Sequence, residues 1–236
     1  MAGSKKENIL KRFLKWGVKI LFRLLVVIII LTIFQVILLR FINPPFTASM
    51  AYGWARSLIS SEAYSRPRYN WTPIKDISPF LIKAVLASED QRFMSHHGFD
   101  FIEMNHAVRD ILTDRRVRGA STISMQVARS VFLWPGRNLI RKASEAYYTI
   151  LIELFLGKVR ILEIYLNVVD WGNGVIGAEA ASLKYFHRSS SEITASQAAR
   201  MAAILPSPHR WSPVYPNDKV KEREKRIMKD MAKMHL

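Results

Sequence analysis

Four short segments of the 236-residue chain carry residues whose types and spacing could do chemistry. In the first, Glu89 to Asp100, Glu89 falls three and four residues after Leu86 and Val85, so on a helix it projects from their apolar face. A carboxylate there is costly unless paired, and it is a candidate general base; the plainer use of Glu89 and Asp90 is a helix cap or a salt bridge. His96 and His97 are neighbours in a loop, which is not the spacing of a ligand set, and read as orienting or packing residues. The second segment, Gly119 to Gln126, offers the neutral donors Ser121, Thr122 and Gln126, suited to sugar hydroxyls or phosphate oxygens, with Ser121-Thr122 equally fit to cap a helix. Arg129 follows one turn later.

In the third segment Arg141, Lys142 and Glu145 share a helical face through i,i+3 and i,i+4 spacing, preceded by Arg137. This is either an exposed salt-bridge set or a cationic clamp for a diphosphate, in which Glu145 orients the basic groups or helps to hold a divalent ion. The fourth, Arg160 to Asn167, places Leu162, Tyr165 and Leu166 on a buried stripe and reads as structure. A run of small residues from Gly177 to Ser182 suits a closely packed helical wall.

The elements that must position these residues are nearly all helical. Ser78-Pro79 is a favourable helix start, followed by the apolar face of Ile82, Val85 and Leu86. Phe101, Met104, Val108, Ile111 and Leu112 recur at helical spacing beyond the Gly98 turn, and core packing is the default use of such a face. Further helices are predicted over 138–156, 158–168, 176–186 and 194–204, and a charged surface helix from Asp218 onwards. Strand signals are almost absent, so the fold class is mainly α.

Near the N-terminus no charge interrupts Leu24 to Leu39, and the flanking apolar residues extend the stretch to the roughly 20 residues that a bilayer needs. It exceeds the usual h-region of a cleaved signal peptide, although Ser49-Met50-Ala51 loosely resembles a cleavage site. Seven Lys and Arg from Lys5 to Arg23 precede it and only Arg40 follows closely, which predicts a cytoplasmic N-terminus and an exported remainder. The chain is thus divided into a basic N-terminus over 1–20, a transmembrane helix over 21–42 and one domain over 43–236. Absence of cysteine fits an oxidising compartment. The net charge of +16 suits anionic headgroups or a phosphorylated substrate better than nucleic acid for a domain facing away from the cytoplasm.

Taken together and in order, the strings E-D-x-x-F-x-x-H-x-G-x-D at Glu89–Asp100, G-x-S-T-I-x-x-Q at Gly119–Gln126, R-K-x-x-E at Arg141–Glu145 and R-I-L-E-x-Y-L-N at Arg160–Asn167 resemble those of the monofunctional peptidoglycan glycosyltransferases, glycosyltransferase family 51. The resemblance runs from about Asn43 to beyond Pro208. It implies a lysozyme-like α-helical lobe with a smaller, membrane-proximal jaw at about 99–118. The implied reaction polymerises lipid II with inversion: the acceptor's GlcNAc 4-hydroxyl displaces undecaprenyl diphosphate from the growing chain. Glu89 is then the base and Glu145 the second catalytic carboxylate. Asp90, Phe93, Ser121, Thr122, Gln126, Arg129, Arg137, Arg141, Lys142 and Asn167 are expected to bind substrate. A divalent cation, Mg or Mn, is implied with the substrate diphosphate, its ligands unassigned.

The implied partners are lipid II, polyprenyl-diphosphate-linked glycan, the bilayer, and other wall-synthesis or division proteins, with no nucleic acid. The implied location is the cytoplasmic (inner) membrane, single-pass, with the domain periplasmic. Two positions depart from the family pattern: His187 stands where Gly is common and Gln197 where Glu is frequent. The rival readings are a lysozyme-like muralytic enzyme and a non-catalytic membrane-anchored scaffold.

Overall fold

The computed structural model describes residues 2–59, 66–113, 119–136, 138–172 and 174–234. The chain divides into two units, Met1–Ile42 and Asn43–Leu236. The first is one helix, α1 (Ala2–Leu38), in which Leu14–Leu38 is long and apolar enough to cross a membrane. The helix starts at Ala2, well before residue 21. Its early sequence holds strong helix formers such as Leu, Lys and Glu and no proline before the span.

The second unit is mainly helical. α2 (Ala48–Ser57) is capped by the Thr47 hydroxyl, which accepts from Met50 N at 3.2 Å. α1 ends at Leu38, ahead of Asn43-Pro44-Pro45, where the sequence predicts a break followed by a plain connection; the Thr47 cap instead starts a new helix soon after. α3 (Pro79–Glu89), α4 (Phe101–Leu112), α5 (Ile123–Phe132), α6 (Leu139–Phe155), α7 (Lys158–Val168), α8 (Ala178–Phe186), α9 (Ala195–Ile204) and α10 (Asp218–Met231) follow. Two-residue strands β1 (Arg68–Tyr69) and β2 (Val175–Ile176) pair in parallel, Arg68 against Val175.

The core lies where α3 packs on α9 and α10, and where α5 packs on α6 and α7. Leu81, Val85, Ile123, Val127, Ile152, Ile161, Ile164, Met201 and Ile204 are buried there. The small residues Ala198, Ala199, Ala202 and Ala203 are all buried on α9, which lets it lie close to its neighbours.

The expectation that α4 fills the core is wrong. Ala107 is its one buried residue, whereas Phe101 is 73% and Leu112 79% exposed, with Ile102, Val108 and Ile111 exposed beside them. The amphipathic period is real, but among the described residues its apolar face is left uncovered.

The two departures from the family pattern have local explanations. His187 ends α8 in the left-handed conformation (φ 54°, ψ 34°), a position that glycine usually fills without steric cost. Gln197 closes a capping box on α9, its Oε1 accepting from Thr194 N at 3.0 Å, so it does the work of the more frequent Glu.

Gly172 (φ +86°) is a true requirement: a Cβ there would sit 2.0 Å from the Pro208 carbonyl oxygen. Gly172→Ala is expected to destabilise the domain by about 2–4 kcal/mol, from left-handed strain and overpacking against a backbone that cannot step aside. Thermal melts of the two proteins in the same detergent check this.

Candidate active site

Glu89 is the last residue of α3 and is half-buried. Its Oε1 accepts from the Ser88 hydroxyl at 3.1 Å and its Oε2 from Gln126 Nε2 at 3.0 Å. Both partners are neutral, and among the described residues no cation pairs with Glu89. An ionised carboxyl offers about four lone-pair sites, so two bonds leave acceptor capacity free.

What holds α3 and α5 in register is the next residue. Asp90 is buried; its two oxygens lie 2.9 and 3.1 Å from His96 Nε2, and Oδ2 also accepts from Ile123 N at 3.0 Å, at the start of α5. The Thr122 hydroxyl donates to Gly98 O at 2.6 Å and accepts from Met125 N at 3.3 Å, capping α5. Gly98 is needed for this approach, since a Cβ would meet Thr149 Cγ2 at 2.8 Å. Asp100 in turn caps α4, accepting from Ile102 N at 3.0 Å and Glu103 N at 3.1 Å, and pairs with Arg92 at 3.4 Å.

Several residues expected to touch substrate are instead part of this framework. Asp90 and Thr122 are buried with their polar atoms engaged as above. Phe93 is buried against His96, with Lys158 Nζ over its ring at 4.4 Å. Asn167 is buried and spends its whole amide on backbone: Oδ1 accepts from Thr72 N at 2.8 Å, and Nδ2 donates to Thr72 O and Glu163 O, each at 2.9 Å. These four are thus buried and engaged with protein neighbours, as buried polar groups generally are.

The second carboxylate sits in a different electrostatic setting. Asn138 caps α6, its Oδ1 accepting from Arg141 N at 2.7 Å. Glu145 is 2% exposed, with Arg141 Nη1 at 3.4 Å from Oε2 and Lys142 Nζ bonded to Oε1. The Arg141 side chain is 11% exposed and its Nε is buried without a partner among the described residues, whereas that of Lys142 is 50% exposed. One buried negative charge therefore holds two positive ones, leaving a net cationic surface at the start of α6.

α5 packs on α6. Ser124 on α5 bonds Glu153 on α6, and Phe132 stacks on Tyr148 with centroids 4.3 Å apart, so the helices run antiparallel. The end of α5 thus meets the middle of α6, and Arg129 is exposed in the last turn of α5. Ser121 is half-buried and makes no side-chain bond among the described residues. Arg137 lies outside the described residues.

Among the described residues Asp90, His96 and Asp100 have potential ligand atoms within 4.8 Å of one another. The carboxylate oxygens of this group already accept from backbone amides, His96 and Arg92, and so serve as joints. At Glu145 the carboxylate is already balanced by two cations, so these residues do not by themselves fit a resident divalent ion. A cavity of about 640 Å³ lined by Asn70, Trp71, Thr72, Lys75, Asp76, Glu179, Ser189 and Ser191 includes neither Glu89 nor Glu145.

The residue that sequence reasoning missed is Tyr165. It is fully buried on α7, and its hydroxyl donates to Gln126 Oε1 at 3.4 Å. The available signal was its place on an otherwise aliphatic stripe, because a buried phenol needs a polar partner. Burial pushes its pKa well above 10, with the Glu89 charge adding to the rise and Arg129 opposing it.

A transglycosylase family model matches residues 56–232. A biosynthetic peptidoglycan transglycosylase of Caulobacter vibrioides is 43% identical over 210 residues, covering 89% of each chain. One from Shewanella oneidensis is 40% identical over 95% of this chain and 93% of its own. Another, from Pseudomonas entomophila, is 45% identical over 84% of each.

The raised phenol pKa has a measurable consequence. A group that holds its proton more tightly folded than unfolded contributes stability below its unfolded pKa and loses it as pH rises. Stability should therefore fall as pH climbs above 10, and phenolate absorbance of the folded protein should lack the Tyr165 contribution until unfolding. Full titration of all the tyrosines in the folded state near pH 10 would contradict this.

Proposed function

The chain belongs to the transglycosylase family and is a peptidoglycan glycosyltransferase of cell-wall synthesis, and from that premise we propose that it polymerises lipid II, with Glu89 as base and the Glu145 cluster receiving the diphosphate. The observation that carries the assignment is the contrast between the two carboxylates: Glu89 is bound by neutral donors only, whereas Glu145 is neutralised by Arg141 and Lys142.

Glu89 retains lone pairs for the proton of the acceptor's GlcNAc 4-hydroxyl. As that proton moves to Glu89, the hydroxyl oxygen attacks the anomeric carbon of the growing chain and the bond to undecaprenyl diphosphate breaks. A diphosphate needs no proton to leave, so one base suffices where a glycosidase needs acid and base. Charge growing on the departing diphosphate is met by Arg141, Lys142 and Arg129, with Glu145 holding the first two in a fixed arrangement. Attack opposite the leaving group accounts for inversion. Ser121 is placed to offer a neutral hydrogen bond. A divalent cation, Mg or Mn, would enter on the diphosphate oxygens of the donor and supply further charge neutralisation there.

Membrane attachment is supported by the apolar stretch of α1, and the positive-inside bias supports a cytoplasmic N-terminus with the domain on the outer face of the inner membrane. Polyprenyl-linked donor and acceptor are then confined with the enzyme to one leaflet. The exposed apolar face of α4 fits the same setting, as a helix face that rests in the headgroup region.

Glu89→Gln in purified full-length protein is expected to lower lipid II polymerisation by about 10²–10⁴-fold with an unchanged melting temperature. A rate near wild type would remove Glu89 as base, and cleavage of preformed glycan without polymer would favour a muralytic enzyme. Phe101→Asp or Leu112→Asp should reduce activity on lipid II in bilayers far more than it reduces thermal stability; equal losses would return α4 to a packing role.

A further inference from the structure

Gln126 has two ends of nearly equal shape. The terminal torsion of a glutamine is broad and roughly two-fold, so geometry within the side chain does not decide which end faces Glu89. The amide nitrogen toward Glu89 gives a hydrogen bond, while the carbonyl toward it sets two acceptors against each other. At the far end of the same amide lies the Tyr165 hydroxyl, contributed by α7, and its direction is that of a donor to the carbonyl.

We propose, resting on the assignment of Glu89 as base, that Tyr165 is a positioning residue for the reaction: it takes the carbonyl end of Gln126 and so keeps the amide nitrogen turned to Glu89. At 3.4 Å the bond is long, and its effect is on which way the amide points rather than on the stability of the fold. The Tyr165 phenol keeps its proton because it is buried beside Glu89 and Asp90, and a phenol that stays protonated remains a donor. Gln126 is also the one described hydrogen-bond partner of this buried hydroxyl, so the dependence is mutual. Three helices meet in this line, with Glu89 from α3, Gln126 from α5 and Tyr165 from α7. The fourth sequence segment thereby acts on the base from one side, through Tyr165, while Asn167 two residues later clamps the Thr72 backbone.

Steady-state polymerisation of lipid II by the full-length protein in detergent tests the proposal. Tyr165→Phe, which removes one oxygen, is expected to lower kcat by about tenfold, leaving KM for lipid II within about twofold and the melting temperature unchanged. Gln126→Met, which keeps the side-chain length and strips both polar ends, should lower kcat at least as far. Adding Tyr165→Phe to Gln126→Met should then cost nothing more, because Tyr165 acts only through that amide. Losses that multiply in the double variant, or full kcat in Tyr165→Phe, overturn the proposal. Should Tyr165→Phe fold poorly, Gln126→Met alone at full kcat overturns it equally. Leu162→Val, a packing change on α7 away from the amide, should keep kcat per folded molecule; a tenfold loss there would mark the effect as general loosening of α7 and count against the proposal. If the wild-type protein makes no polymer, it is the assigned reaction that fails, a result distinct from all of these.

Discussion

The buried carboxylate of Asp90 is the joint on which the site depends. It receives the first amide of α5 and the His96 ring at once, so the end of α3 and the start of α5 cannot shift independently. A carboxylate in such a position is costly unless its lone pairs are filled, and here backbone and imidazole fill them. The Thr122 bond to Gly98 closes the same joint from the other side. Glu89, one residue before Asp90, inherits a fixed position from this buried neighbour.

From that joint the chemistry divides by charge. Glu89 is surrounded by neutral donors and keeps acceptor capacity. Glu145 is paired with two cations, so its contribution is to fix the place of positive charge that a diphosphate would otherwise have to organise. The two settings arise from local sequence: Ser88 and a glutamine on the facing helix in one case, a basic pair three and four residues earlier on the same helix in the other. α5 joins the two, with Gln126 at one carboxylate and a packing face on α6, the helix that carries the other.

Much of this was legible before any coordinates. Ser78-Pro79 marks the start of α3, the periods over 138–156, 158–168 and 194–204 mark α6, α7 and α9, and the i,i+3 and i,i+4 spacing of Arg141, Lys142 and Glu145 already puts them on one face. Bonds between segments distant in the chain were not legible. Asp90 and Asn167 look like free polar groups until Ile123 N and Thr72 are brought to them, and Phe93 looks available until Lys158 lies on its ring. Tyr165 was read correctly as buried, but the partner of its hydroxyl is supplied by α5, 39 residues earlier. The face of α4 shows a different limit: periodicity reports that a helix has an apolar side, and says nothing about whether protein or lipid covers it.

α4 has a pinned root and a free blade. Its first turn is tied through Asp100 to Arg92 and to its own leading amides, and the Gly98 turn just before it is tied through Thr122 to α5. Its 12 residues extend about 18 Å from that root with the apolar side uncovered. Wherever the blade rests on lipid, the stiff root sets the height of Glu89 above the surface. A base held at one height above a bilayer would select among lipid-linked acceptors by how far their terminal hydroxyl stands from the diphosphate.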